Sequence, residues 1–333
     1  MMPGVERHFQ IAQTLKRRLE TAIIGRKEAI DLVVIAFLAD GHVLLEDYPG
    51  SGKTTLARAL GGAVTDESTR TPEGPSMAAF RRIQFTPDLL PSDITGTSVF
   101  DVQTSTFAFR PGPLFAHVVL ADEINRTSPK VQAAMLEAMA EKQVTVDNQT
   151  YPLDELFCVI ATQNPLDVSG TYPLPTPQLD RFLFKIRMTF IDPASELAVL
   201  ERYPHTSLEA AEQVGTVRRD DVVAARQWLR QHVRIAPPIK DGLVRFANRL
   251  RQDSRVLQGT STRSLLLALS SMQARALLQG RDYVTPDDLE RLAPYLFAHR
   301  MECSSEVQEA SAVVSECLRP TLEALSKVDP AAA

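Results

Sequence analysis

The ten residues Glu46-Asp47-Tyr48-Pro49-Gly50-Ser51-Gly52-Lys53-Thr54-Thr55 decide the fold. They join His42-Val43-Leu44-Leu45, an apolar run of the kind that makes a buried strand, to Leu56-Ala57-Arg58-Ala59-Leu60, a run of strong helix formers. A turn of this composition in that setting cradles phosphate. Its glycines let backbone N–H groups come close to phosphate oxygens, and the helix N-terminus adds its dipole. Pro49, Gly50, Ser51, Gly52, Lys53, Thr54 and Thr55 are the candidate nucleotide-binding stretch, with Tyr48 and Pro49 serving mainly to stiffen the loop. Lys53 has the reach for the β- and γ-phosphates, and the Thr54 hydroxyl is a candidate Mg²⁺ ligand. The general pattern has glycine where Asp47 stands; Asp tolerates left-handed backbone better than most residues, so the loop can still close. Against this stands a plainer reading, a Gly/Ser-rich turn followed by an ordinary surface lysine.

Composition narrows the class. A chain of 333 residues with 44% hydrophobic residues can bury a large core and is long enough for two domains. Its formal net charge of -5 argues against a dedicated duplex-DNA binder. Cys158, Cys303 and Cys317 lie far apart with neither disulfide nor zinc spacing, which fits a reducing compartment. Met1 to Gln10 lacks the apolar core of a signal peptide. The longest apolar run, Leu32 to Ala39, falls far short of the roughly 20 residues that span a bilayer, so the expectation is a cytoplasmic protein without a transmembrane segment.

Along the chain, Ile11, Leu15 and Leu19 mark an amphipathic first helix, and Ile23-Ile24-Gly25-Arg26 turns into a more apolar second one, Lys27 to Ala39. Thr65 to Ala78 has the composition of a surface loop. Arg82-Ile83-Gln84-Phe85 predicts a strand and Thr86 to Gly96 a turn-rich insertion. Val99-Phe100-Asp101 and Thr106 to Phe109 predict a hairpin. Ala116 to Ala121 is a buried strand ending in Asp122-Glu123, where an open α/β sheet places its ligand chemistry. There Asp122 would hold Mg²⁺ and Glu123 would polarise the attacking water. Val131, Met135, Leu136 and Met139 form the core stripe of a helix over Pro129 to Glu141, and Val144 to Tyr151 predicts a second hairpin. Phe157 to Thr162 is a further buried strand, and Gln163-Asn164-Pro165 at its end lies level with Asp122 and Glu123 if the strands are neighbours. A proline-rich stretch, Thr171 to Asp180, leads to Arg181 and a last strand, Phe182 to Met188. From Asp192 onward helix follows helix, and Thr285-Pro286-Asp287-Asp288 is one clear start signal. This divides the chain at Phe190 to Pro193 into a core, 1–190, carrying two inserted hairpins, and a helical domain, 191–333.

Taken together the motifs resemble an AAA+ ATPase of the MoxR family, from Ile23 to about Phe297. The most specific pieces run from Arg82 to Gly96, and include Leu120-Ala121-Asp122-Glu123-Ile124-Asn125-Arg126, Leu136-Glu137-Ala138-Met139, Ala161-Thr162-Gln163-Asn164-Pro165 and Gln178-Leu179-Asp180-Arg181-Phe182. The resemblance implies an α/β fold: a P-loop core with a parallel sheet flanked by helices, followed by a smaller all-α lid. It implies hydrolysis of ATP with Mg²⁺, bound through Thr54 and Asp122, in a ring, expected to be a hexamer. Asn164 matches the polar sensor that aligns the attacking water, and Arg181 the arginine finger that enters the neighbouring subunit's site. Arg263, with Arg251 and Arg255 nearby, matches a second sensor in the lid. Ile24 and Gly25 resemble the segment that packs on adenine, although a simple helix-connecting turn accounts for them equally. The client implied is a protein with a von Willebrand factor A-like domain, and the work is chaperone-like maturation or metal insertion into protein complexes. A chelatase-type motor subunit is an alternative. A DNA-handling motor predicts basic or aromatic hairpin tips, whereas Val144 to Thr150 offers Asp147 and no lysine or arginine, so no nucleic acid is expected. A scaffold that binds ATP without turnover could dispense with both Glu123 and Arg181.

Overall fold

Short aliphatic runs build a five-stranded sheet in a computed structural model that describes residues 4–46, 50–66, 75–103, 105–164, 170–203 and 207–327. We label its strands β1 (Val43–Glu46), β2 (Ala78–Gln84), β3 (Ala116–Asp122), β4 (Cys158–Gln163) and β5 (Phe184–Arg187). Their order across the sheet is β5-β1-β4-β3-β2 and every pairing is parallel. A parallel sheet needs both faces covered, and β3 is buried at all of its positions. Successive side chains point to opposite faces. Val118 and Leu120 accordingly join the cluster that holds Leu15, Leu19, Leu56 and Leu60 of the first and third helices. Val119 and Ala121 join the one that holds Val131 and Met135. Full burial contributes about 2 kcal/mol for a side chain the size of Leu56 or Leu60.

The helix Lys53–Gly62 lies close against β2. A Cβ on Gly61 would stand 2.6 Å from the Ala79 carbonyl oxygen and 2.9 Å from Phe80 Cβ. Glycine is what permits this approach. Both hairpins form, Gly96–Asp101 with Thr106–Pro111 and Gln143–Val146 with Gln149–Pro152. Asp147 and Asn148 at the second tip both have positive φ, 50° and 63°, which is the backbone a two-residue hairpin turn demands.

Three stretches depart from the local expectation, the first two through pairing with distant strands. β2 begins at Ala78 rather than Arg82, because its edge pairs with β3 over the whole length from Ala78 opposite Ala116 to Gln84 opposite Asp122. Val64–Thr65, at the start of the expected loop, is a short strand parallel to Val217–Arg218, more than 150 residues away. Pro91–Thr95 in the first insertion is a helical turn.

After β5 come seven α-helices among the described residues, from Pro193–Glu201 to Ala310–Leu325. The start signal at Thr285 is a capping box in which Asp288 Oδ2 accepts from Thr285 N at 2.7 Å. The same carboxylate, wholly buried, pairs with Arg281 at 2.7 Å and with Arg275. The helical part is joined to the helix Lys27–Leu38 by Arg226, which donates to the Phe37 carbonyl at 2.9 Å and to Asp40 Oδ1 at 2.7 Å, the carboxylate that Lys142 also reaches at 2.6 Å. Among the described residues no helix is long and apolar enough to cross a membrane.

Candidate nucleotide site

The turn after β1 has the backbone that its glycines allow. Gly50 and Gly52 have φ of 89° and 91°, and Gly52 is the N-cap of the helix Lys53–Gly62. A Cβ on Gly50 would meet nothing within 4 Å among the described residues, and the glycine there answers to its positive φ. Ser51 Oγ is buried with no hydrogen-bond partner among the described residues, an acceptor or donor in waiting at the centre of the turn. Arg26 holds the turn from outside: its Nε donates to the Ser51 carbonyl at 3.2 Å and its Nη1 to the Thr189 carbonyl at 2.5 Å. Pro49 lies outside the described residues, as do Asp47 and Tyr48.

The carboxylate pair stands at the end of β3, where the register sets Gln84 of β2 opposite Asp122 and Ala161 of β4 opposite Ala121. Asp122 Oδ1 accepts from Thr162 Oγ1 at 2.7 Å. Its Oδ2 accepts from Arg82 Nη2 at 2.6 Å and from Arg82 Nε at 3.1 Å. Glu123 adopts left-handed backbone, φ 58° and ψ 50°, a conformation that costs a non-glycine residue about 1 kcal/mol or more and marks sites where a side chain must be aimed. Its amide donates to Thr162 Oγ1 at 2.9 Å. Its Oε2 accepts from Gln84 Nε2 at 3.0 Å and lies 3.2 Å from Arg126 Nε. Both carboxylates are therefore oriented from neighbouring strands.

Two clefts meet at the turn. One, of about 430 Å³, is lined by Gly50 to Thr55, Arg82, Gln84, Asp122, Glu123, Thr162 and Asn164. It brings together the lysine, the hydroxyls, the carboxylate pair and the amide that the sequence singled out. The other, of about 380 Å³, is more apolar: Ile23, Ile24, Met188, Phe190, Ile191 and Val199 line it together with Gly50 to Gly52 and Thr55. Gly25 turns the chain beside it at φ 75°, and a Cβ there would stand 2.7 Å from both Cβ and Oγ of Ser195. Polar cleft and apolar cleft, joined at a glycine turn, match the two ends of a nucleotide. The unpartnered Ser51 Oγ and the Lys53 ammonium suit its phosphates; Thr54 and the Asp122 carboxylate offer the oxygen ligands that Mg²⁺ prefers.

Arg181 and Arg263 line neither cleft. Arg181 follows the short helix Thr176–Leu179, its amide bonded to the Gln178 carbonyl at 3.2 Å. Arg263 is exposed in the first turn of the helix Thr262–Leu278, and it acts electrostatically on Arg300, whose guanidinium is bonded to Asp180. Sequence reasoning did not find Arg26, Arg82, Gln84 or Thr162 as site residues. The alternation of Arg82 and Gln84 about an apolar Ile83 was a signal that both share one face of a strand.

A strand-to-helix phosphate turn, with a carboxylate pair and a polar amide at adjacent strand ends, defines a P-loop nucleotide-binding protein. Comparison with known proteins narrows this. Residues 42–184 match the model of the ATPase family associated with various cellular activities (AAA), and residues 248–317 match the AAA lid domain. The chain is 44% identical over 305 residues to YeaC of Bacillus subtilis, covering 90% of this chain and 91% of that one. It is 36% identical over 316 residues to the chaperone MoxR1 of Mycobacterium tuberculosis, covering 90% and 78%. It is 28% identical over 340 residues to the protein MoxR of Methylorubrum extorquens, covering 94% of each. A crystal structure from Cytophaga hutchinsonii carrying an ATPase assignment superposes with a TM-score of 0.82 at 33% identity, over 94% of this chain and 96% of the other. The chain belongs to the MoxR family of AAA+ ATPases.

Proposed function

We propose that this protein hydrolyses Mg-ATP at the interfaces of a ring, expected to be a hexamer, and uses the cycle to remodel or mature client protein complexes. The observation that carries the reading is the position of Arg181: the chain's own cleft holds the turn, both carboxylates and Asn164, yet this arginine does not line it. A cation missing from its own site and carried on another face is what a neighbour would supply. Arg263 follows the same logic, since it bears on Arg300 and so lies on the side of Asp180 and Arg181.

In this mechanism bound Mg-ATP supplies an activated γ-phosphoryl group and a divalent charge to offset what develops on it. Lys53, Ser51 Oγ and the backbone N–H groups of the turn bind the phosphates. Glu123, aimed by Gln84 and Arg126, accepts the proton of the attacking water, while Asn164 orients that water. Thr54 and Asp122 would hold the metal, which would offset negative charge on the phosphates, and Asp122 is set for this by Thr162 and Arg82. Ile24 and Gly25 border the base, and Arg181 from the next subunit neutralises charge on the γ-phosphoryl group. The boundary between a core, 1–190, and a lid, 191–333, belongs to the same proposal, as do a cytoplasmic setting and a client with a von Willebrand factor A-like domain. A chelatase-type motor subunit is the rival, separated by which protein co-purifies.

Glu123→Gln tests the reading. It should leave ATP affinity intact and slow hydrolysis by about 10² to 10⁴. Unchanged turnover, or a strictly monomeric protein under saturating ATP and magnesium, refutes it.

A further inference from the structure

The backbone on either side of Arg181 is gripped by a residue 120 positions away. Arg300 follows the helix Pro286–Phe297, and its side chain is 1% exposed. A guanidinium carries five N–H donors, and here each has an acceptor. Nε donates to Asp180 Oδ1 at 2.8 Å. Nη2 donates to the carbonyls of Asp180 and Phe182 at 3.3 and 2.5 Å. Nη1 donates to the carbonyl of Leu183 at 3.0 Å and to that of Leu296. Beside it, His299 Nε2 donates to the same Phe182 carbonyl at 3.0 Å, and Thr176 Oγ1 donates to Glu302 Oε1 at 3.0 Å.

The acceptors at 180, 182 and 183 bracket Arg181. Between the short helix Thr176–Leu179 and β5 the amides of this stretch bond to the carbonyls of Thr176, Gln178, Leu179 and His42, and the fork from Arg300 takes the carbonyls of Asp180, Phe182 and Leu183. Burying a guanidinium is costly, and burial pushes this one down to about 10 despite the Asp180 carboxylate. A merely space-filling role would be served better by an apolar side chain. Lysine cannot substitute, having three donors on one atom where the planar fork places five in fixed directions.

We propose that Arg300 is a positioning residue for Arg181, fixing from the helical C-terminal part the backbone that carries the cation offered to the neighbouring subunit. This rests on the finger reading of Arg181 above. It also means that the helices after β5 hold the finger of their own subunit, so a shift in them is felt at the next subunit's site.

The test is subunit mixing with full-length proteins. Arg300→Lys should bind ATP within about twofold of the parent, melt cooperatively, and lose turnover at least tenfold as a homomer. Mixed with Glu123→Gln, which keeps its own finger, it should regain activity, as an Arg181→Ala control mixed with Glu123→Gln should. Wild-type turnover by Arg300→Lys, or no recovery on mixing when the Arg181→Ala control recovers, overturns the inference alone. No recovery in that control overturns the finger reading and the inference with it. Should Arg300→Lys fail to melt cooperatively, Asp180→Asn, which removes the charged acceptor from a partly exposed side chain, is read by the same criteria.

Discussion

Thr162 Oγ1 donates to Asp122 Oδ1 at 2.7 Å and at the same time accepts from the Glu123 amide at 2.9 Å. One hydroxyl on β4 therefore sets both carboxylates at the end of β3. Thr162→Val keeps shape and branching but leaves the part-buried Glu123 amide unsatisfied, at a cost of about 1–2 kcal/mol of stability. Hydrolysis should fall by about tenfold or more with ATP affinity little changed, since the loss is of orientation. Parallel measurement of kcat and of ATP dissociation checks both halves.

Lys53→Ala removes the ammonium from a turn whose remaining contacts are hydroxyl and backbone. A charged hydrogen bond contributes about 1.5–3 kcal/mol, so ATP affinity should weaken by about one to two orders of magnitude. Calorimetric titration with the unmodified protein alongside gives the ratio; a ratio near one means that the turn does not hold phosphate.

Gly61→Ala places a methyl against the Ala79 carbonyl oxygen, backbone on an established strand. Helix and β2 must separate, and the cost should be about 1–3 kcal/mol, read as a lower urea midpoint with unchanged slope. Gly50→Ala makes a contrast: a Cβ there meets nothing among the described residues, but φ of 89° penalises any side chain, so stability falls by about 1 kcal/mol and phosphate binding falls with it.

His42 sets an acid limb. Its Nε2 donates to the Met139 carbonyl at 3.1 Å, its Nδ1 accepts from the Val159 amide at 3.0 Å, and burial pulls it down from 6.5 to about 4. The unfolded chain binds this proton more readily than the folded one. The contribution is therefore complete above about pH 6.5 and is lost as pH falls toward 4, amounting to about 2 kcal/mol by pH 5. Urea unfolding at pH 7 and pH 5 should show the drop, and His42→Gln should show a smaller one whatever its stability at pH 7. Burial lowers His299 and His117 too, so neither opposes this direction.

What was legible in the sequence was local. Glycines beside a lysine and a threonine, an apolar run ending in two acids, and a capping threonine before proline each state their conformation within a few residues. The tip at Asp147-Asn148 and the stripe Val131, Met135, Met139 are of the same kind. What was hidden depends on register. Arg82 meets Asp122 only because β2 and β3 are neighbours aligned to bring position 84 opposite 122; Thr162 looked like one more strand residue. Arg26 and Arg300 act mostly on backbone carbonyl groups, which every residue has, and the one carboxylate that Arg300 reaches, Asp180, is 120 positions away, so no local pattern announced them. The pairing of Val64–Thr65 with Val217–Arg218 escaped because two residues are too few to carry a period.

One apolar cluster runs without a break from Leu15 and Leu60, through Val118 and Ile160 of the sheet, to Phe246, Leu277, Phe297 and Leu318. Severing the polypeptide near residue 190 would therefore not release two autonomous folding units. The front fragment would present a greasy flank to water and precipitate, and heating the intact molecule should give a single calorimetric peak. Any work stroke must then be a slide within a shared interior, short in amplitude, and not the swing of a loosely tethered module.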